Sequence, residues 1–210
     1  MVAFFAFNWN DVSWVFNYRV VSGLLYDFFN PYQSIEASSN RNYLVNNSVN
    51  YSVVDNKEKI EYPYSSKTNT LEIPSIEISA PVVLSQSTNV SALTKDLDKG
   101  VVFYPSSVLP GQNGQTIILG HSAPPNWPKI KHDWVFSDLN DLSYGDEIRL
   151  YFDNKEYIYR IREKRILEKG QEIVTTPLIR NGNILILVSC WPPGKDYQRI
   201  AVQAELTTPY

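Results

Sequence analysis

Over the second two-thirds of the chain, apolar residues come in short blocks, unbroken or alternating with polar ones, and no long stretch repeats at helical spacing. Glu147 to Phe152 and Tyr157 to Ile166 are two such blocks, separated by Asp153-Asn154. Thr116 to Gly120 and Ile184 to Ser189 are continuous apolar runs, and Arg199 to Leu206 alternates. A half-buried strand shows its side chains at period two and a fully buried one reads as an apolar run, so each block predicts a strand. Asn181-Gly182-Asn183 and Trp191-Pro192-Pro193-Gly194 supply turns between them. The pattern predicts an all-β barrel or sandwich.

Two further regions precede these blocks. Residues 1–30 are rich in aromatics, among them Trp9, Trp14, Phe16, Tyr26 and Phe28, but Asn8, Asp11, Arg19 and Asp27 interrupt them. A spanning helix needs roughly 20 mostly apolar residues, and the uninterrupted start, Val2 to Phe7, is far shorter. The segment has neither the basic start nor the cleavage site of a signal peptide. It reads as a helix at the membrane–water interface, where aromatics are favoured, or as an amphipathic helix packed on the domain that follows. Residues 31–69 are rich in Asn and Ser and offer little to a core, so they read as a linker. The strand-rich domain is placed at residues 70–208.

Composition narrows the partners. A chain of 210 residues with 43% hydrophobic positions can bury a substantial core. The net charge of −3 gives no broad electrostatic case for nucleic acid. Arg160, Arg162 and Lys164 alternate with Tyr159, Ile161 and Glu163, as on the solvated face of a strand. One cysteine makes neither an intramolecular disulfide nor a cysteine-rich zinc site.

That cysteine, Cys190, ends the run from Ile184 and stands directly before the Pro/Gly turn; nine residues on, Arg199 opens the next strand. Two strands joined by such a turn pair as a hairpin about 5 Å apart, which puts the thiol and the guanidinium face to face. If Ile200, Val202, Ala204 and Leu206 face the core, alternation turns Arg199 outward. There are two histidines. His121 ends a strand, on rigid support, whereas His132 lies in the polar stretch Lys129 to Asp133; His121 is the better candidate for a base. Singly, each residue also reads as a buried small side chain, a structural histidine or a solvated arginine.

Together, His, Cys and Arg in that order, each at a strand end, resemble the sortase family of cysteine transpeptidases. The resemblance extends to Leu71-Glu72-Ile73-Pro74-Ser75-Ile76, Gly100 to Pro105 with Pro110-Gly111-Gln112, Ile118 to His121, Val135 to Leu142 with Tyr144 to Ile148, and Ser189-Cys190 through Gly194 to Arg199. It departs at Ile186 and Ser189, where the family often has threonine. The resemblance implies a closed barrel of about eight strands with short helices. It implies catalytic roles for His121, Cys190 and Arg199 and a thioacyl intermediate passed to an amine. It also implies secreted substrates with a C-terminal sorting motif, an amine acceptor such as a peptidoglycan precursor or pilin, and work at the outer face of the cell membrane, tethered by the N-terminus either through apolar residues upstream of Met1 or through an interfacial helix within residues 2–29.

A cysteine hydrolase that passes the acyl group to water and a non-catalytic envelope binding barrel are the alternative readings. With an unperturbed thiol near 8.5, about 3% is thiolate at pH 7, and a nearby Arg199 would raise that share. No cofactor is expected. Some members of the family bind calcium through loop carboxylates; Glu163, Glu168, Glu172, Asp138 and Asp141 are the acids available for this here.

Overall fold

The computed structural model describes residues 61–171, 173 and 182–207. The aromatic segment 1–30, most of the segment read as a linker, and Glu172 lie outside the described residues. Eight strands form a closed barrel: β1 (Thr70–Ile73), β2 (Ile78–Leu84), β3 (Val101–Phe103), β4 (Gly114–Leu119), β5 (Glu147–Phe152), β6 (Lys155–Glu168), β7 (Asn183–Trp191) and β8 (Gln198–Leu206). Around the barrel the order is β1-β2-β3-β4-β7-β8-β6-β5, and β5 returns to β1. Closure leaves no strand edge open. One α-helix, α1 (Val90–Leu97), lies between β2 and β3, with Asn89 capping it by accepting from the Ser91 amide.

Alternation along the strands sorts two clusters. Every strand sends residues inward, for example Leu71, Ile78, Val101, Ile118, Leu150, Tyr159, Leu187 and Val202, and these fill the barrel. A second cluster lies on the outside of the wall, where Leu93 and Leu97 of α1 meet Leu119, Ile184, Ile186, Val188 and Ala201. This explains why β7 reads as an unbroken apolar run: both its faces are covered. Strand β8 is also buried on both faces, although its alternation suggested one. Its outer polar residues are covered too, with Glu205 paired to Arg162 Nε at 2.8 Å.

Two other expectations change in detail. Of the three basic residues read as a solvated face on β6, Arg160 is exposed, but Arg162 reaches Glu205 and Lys164 donates to the Asn140 and Leu142 carbonyls. The last residues of the segment read as a linker lie against the barrel. Tyr62 rests on Tyr157, ring centroids 4.5 Å apart, and Ser65 and Pro63 exchange backbone hydrogen bonds with Asn154 and Glu156.

Candidate active site

Strand β7 separates β4 from β8, and that order assembles the site. Parallel pairing of β4 with β7 sets Leu119 beside Val188, and the Gly120 amide donates to the Val188 carbonyl at 3.1 Å, so the chain leaves β4 at His121 next to the end of β7 that carries Cys190. Antiparallel pairing of β7 with β8 sets Cys190 directly opposite Arg199. Val188 and Ala201 belong to the outer cluster, so the alternation that continues to Cys190 and Arg199 turns both outward. Short polar ties lock the register behind them. Ser189 Oγ donates to the Gly120 carbonyl at 2.7 Å, and Ser122 Oγ donates to the Cys190 carbonyl at 2.9 Å. Gly120 is required here: a Cβ would stand 2.3 Å from the Phe136 ring.

Cys190 is partly buried, and its Sγ lies 3.8 Å from Asp196 Oδ1. Burial pushes the thiol up to about 11; Arg199 and Lys169 pull it down, while Asp196 pushes it further up. The sequence reading took account of Arg199 but not of burial or Asp196, and burial outweighs the cation. At pH 7 the free thiolate is then about one part in 10⁴. Only the thiolate is alkylated, so iodoacetamide labelling of the free protein should quicken about tenfold per pH unit from 7 to 10. A plateau near pH 8, read by intact mass, would contradict this.

Arg199 faces outward as alternation requires, but it is only 1% exposed, because the β7–β8 connection and the end of β6 cover it. Its Nη1 donates to Asp196 Oδ1 at 2.6 Å and to the Gln198 carbonyl at 2.8 Å. Nε and Nη2 are buried and have no partner among the described residues. A buried donor left unmade costs about 1–3 kcal/mol. Both donors belong to the residue directly opposite Cys190.

His121 is held from the other side. Its carbonyl accepts from the Phe136 amide at 2.8 Å, which closes the loop after β4 back onto the strand end. That closure brings in Asp133, 3% exposed, and α1 ends at Asp98; ligand atoms of Asp98, His121 and Asp133 all lie within 4.8 Å of one another. Neither aspartate was singled out by the sequence reading. One imidazole and two carboxylates are also a donor set for a divalent cation. Of the acids considered for calcium, Glu163 pairs with Arg165 and Glu168 accepts from Gln198. His132 stands apart from this trio, on a residue with φ of 59°.

A family model described as the Sortase domain matches residues 71–207. The chain belongs to the sortase family. Sortase D of Bacillus subtilis (strain 168) is 31% identical over 137 residues, 65% of this chain and 61% of that protein; this sortase thus spans less than two-thirds of the curated relative's length. Among solved structures, sortase C1 from Streptococcus suis superposes with a TM-score of 0.52 at 25% identity, covering 69% of this chain and 74% of that one. Sortase A from Corynebacterium diphtheriae gives 0.53 at 21% identity, covering 71% and 63%. The expected closed barrel is the fold of these proteins, and His121, Cys190 and Arg199 all fall inside the matched segment. At the two departures from the threonine pattern, Ile186 is fully buried under α1 and Ser189 makes the tie to Gly120. Among the described residues, no helix is long and apolar enough to cross a membrane.

Proposed function

We propose that this sortase is a cysteine transpeptidase that cuts a peptide bond in a sorting signal and joins the acyl part to an amine. The observation that carries this reading is Cys190 directly opposite Arg199 on paired strands, with His121 just past the end of the neighbouring β4 and two buried guanidinium donors without a partner among the described residues. The Cys190 thiolate forms a C–S bond to the carbonyl carbon. The carbonyl oxygen gains charge and takes hydrogen bonds from Arg199, whose planar fork suits a fixed oxygen position. When the C–N bond breaks, His121 gives its proton to the leaving amine. An incoming amine then attacks the thioester, His121 takes its proton, a new amide forms, and the thiolate departs.

The reaction written this way needs no cofactor. Substrates are secreted proteins with a C-terminal sorting motif, and acceptors are amines of the envelope, such as a peptidoglycan precursor or pilin. A hollow of about 200 Å³, lined by Pro124, Trp127, Trp134, Asp138 and Pro193, opens between the loop after His121 and the β7–β8 connection and offers the peptide an apolar wall. The workplace is the outer face of the cell membrane, with residues 1–30 as tether and residues 31–60 giving the barrel reach.

The test is a peptide library incubated with the protein and an amine such as oligoglycine, read by mass spectrometry. A new amide product is expected. Cleavage with water as the sole acceptor would mean a hydrolase, and no cleavage would remove the reading. Within the same assay, His121→Ala should lower product formation by about 10²–10⁴-fold, the usual worth of a positioned acid–base group. His132→Ala should stay near wild type. Equal losses would assign the proton transfer wrongly.

A further inference from the structure

Asp196 is the one carboxylate recorded against the proposed nucleophile among the described residues, and its two oxygens are divided between cations. Oδ1 lies 2.6 Å from Arg199 Nη1 and 3.8 Å from Cys190 Sγ; Oδ2 lies 2.7 Å from Lys169 Nζ. The residue sits in the short connection between β7 and β8, three positions before Arg199, while Lys169 follows the end of β6. A negative oxygen therefore stands between the thiol and its guanidinium. It draws on the donor face that a reacting carbonyl oxygen needs, and it opposes charge on sulfur. The charged groups recorded against the thiol are Arg199 from β8, Lys169 from the end of β6 and Asp196 from the connection; His121 approaches from β4.

We propose that Asp196 is a positioning residue that competes with substrate for Arg199 and adds to burial in opposing charge on Cys190 until a peptide binds. Resting on the transpeptidase reading, the step is an exchange of partners. The peptide carbonyl takes the guanidinium donors, Asp196 moves off Arg199 onto Lys169, and the Cys190 proton passes to His121 as the thiolate forms. Lys169 keeps the carboxylate charge paired throughout, so the exchange trades one ion-pair partner for another rather than stranding a buried charge. Arg199 is prepared for this, because Nε and Nη2 are open while Nη1 alone holds Asp196. The thiolate then appears only beside an acyl donor, and the free thiol is shielded from alkylation and oxidation.

The experiment compares the full chain with Asp196→Asn, Lys169→Gln and the double variant. Iodoacetamide labelling without peptide is one readout; kcat and KM for a cleavable peptide are the other. Asp196→Asn should label at least about tenfold faster at pH 7, with its pH profile displaced downward by about one unit, and its KM should fall. Lys169→Gln should lose about tenfold or more in kcat/KM, since the carboxylate has nowhere to go, and that loss should vanish in the double variant. A merely structural Asp196 predicts unchanged or slower labelling and the same Lys169→Gln loss in both backgrounds; either result overturns the proposal. The transpeptidase reading fails separately, by absence of a thioacyl adduct in the wild-type protein. If the adduct forms and Asp196→Asn labels like wild type, this inference alone falls.

Discussion

Cys190→Ala is expected to lower amide formation by about 10⁴-fold or more, the scale on which loss of a covalent nucleophile is felt, while the barrel stays folded. The thiol sits at the end of β7, is partly exposed, and makes one long contact, 3.8 Å to Asp196. Its removal strands no charge, because Asp196 keeps Arg199 and Lys169. The stability change should therefore stay within about 1 kcal/mol. Intact-mass detection of the thioacyl adduct, alongside thermal unfolding, separates the two effects. An adduct on the alanine variant, or turnover above about one per cent of wild type, would place the nucleophile elsewhere.

Arg199→Lys is the second large effect. Lysine keeps the charge but not the fork of donors, and the loss of one preorganised donor to a developing oxyanion costs about 10²–10³-fold. We expect kcat/KM for peptide cleavage to drop by that amount. Iodoacetamide labelling, which needs the thiolate but no oxyanion, should change little because the positive charge remains. Arg199→Met should lose both, since Asp196 then faces the thiol with no guanidinium to offset its charge. It should also cost about 1–3 kcal/mol, less than a fully buried pair would, because Asp196 is 17% exposed and keeps Lys169. Peptide turnover close to wild type in the lysine variant would remove Arg199 from oxygen binding and leave it a role in thiol ionisation alone.

The pairing of Cys190 with Arg199 was legible because it is local: an apolar run, a Pro/Gly turn and an alternating strand define a hairpin whose register the turn fixes. His121 was legible by its position at a strand end. The neighbourhood of their two strands is not local, since β4 and β7 are parallel neighbours far apart in sequence, and only the likeness to a known family suggested it. Asp196 and Asp133 were not legible. Each lies in a stretch whose composition says only turn or polar loop, and what counts is where the chain folds back: Asp133 through the Phe136–His121 hydrogen bond, Asp196 through two cations on separate elements. Burial of Arg199 escaped for a related reason. Alternation states which side of a strand a residue takes, but not whether a loop or helix will cover that side. The downward effect expected of Arg199 on the thiol was correct in direction, yet burial and Asp196 reverse the outcome.

The order β4-β7-β8 also has a consequence for the chain as it is made. The thiol and its cation can meet as soon as one hairpin forms, but the histidine joins them only when β4 docks alongside β7, across about sixty intervening residues. A nascent or partly folded chain thus holds a cysteine with no proton partner. The three candidate residues are together only once β4 has docked beside β7.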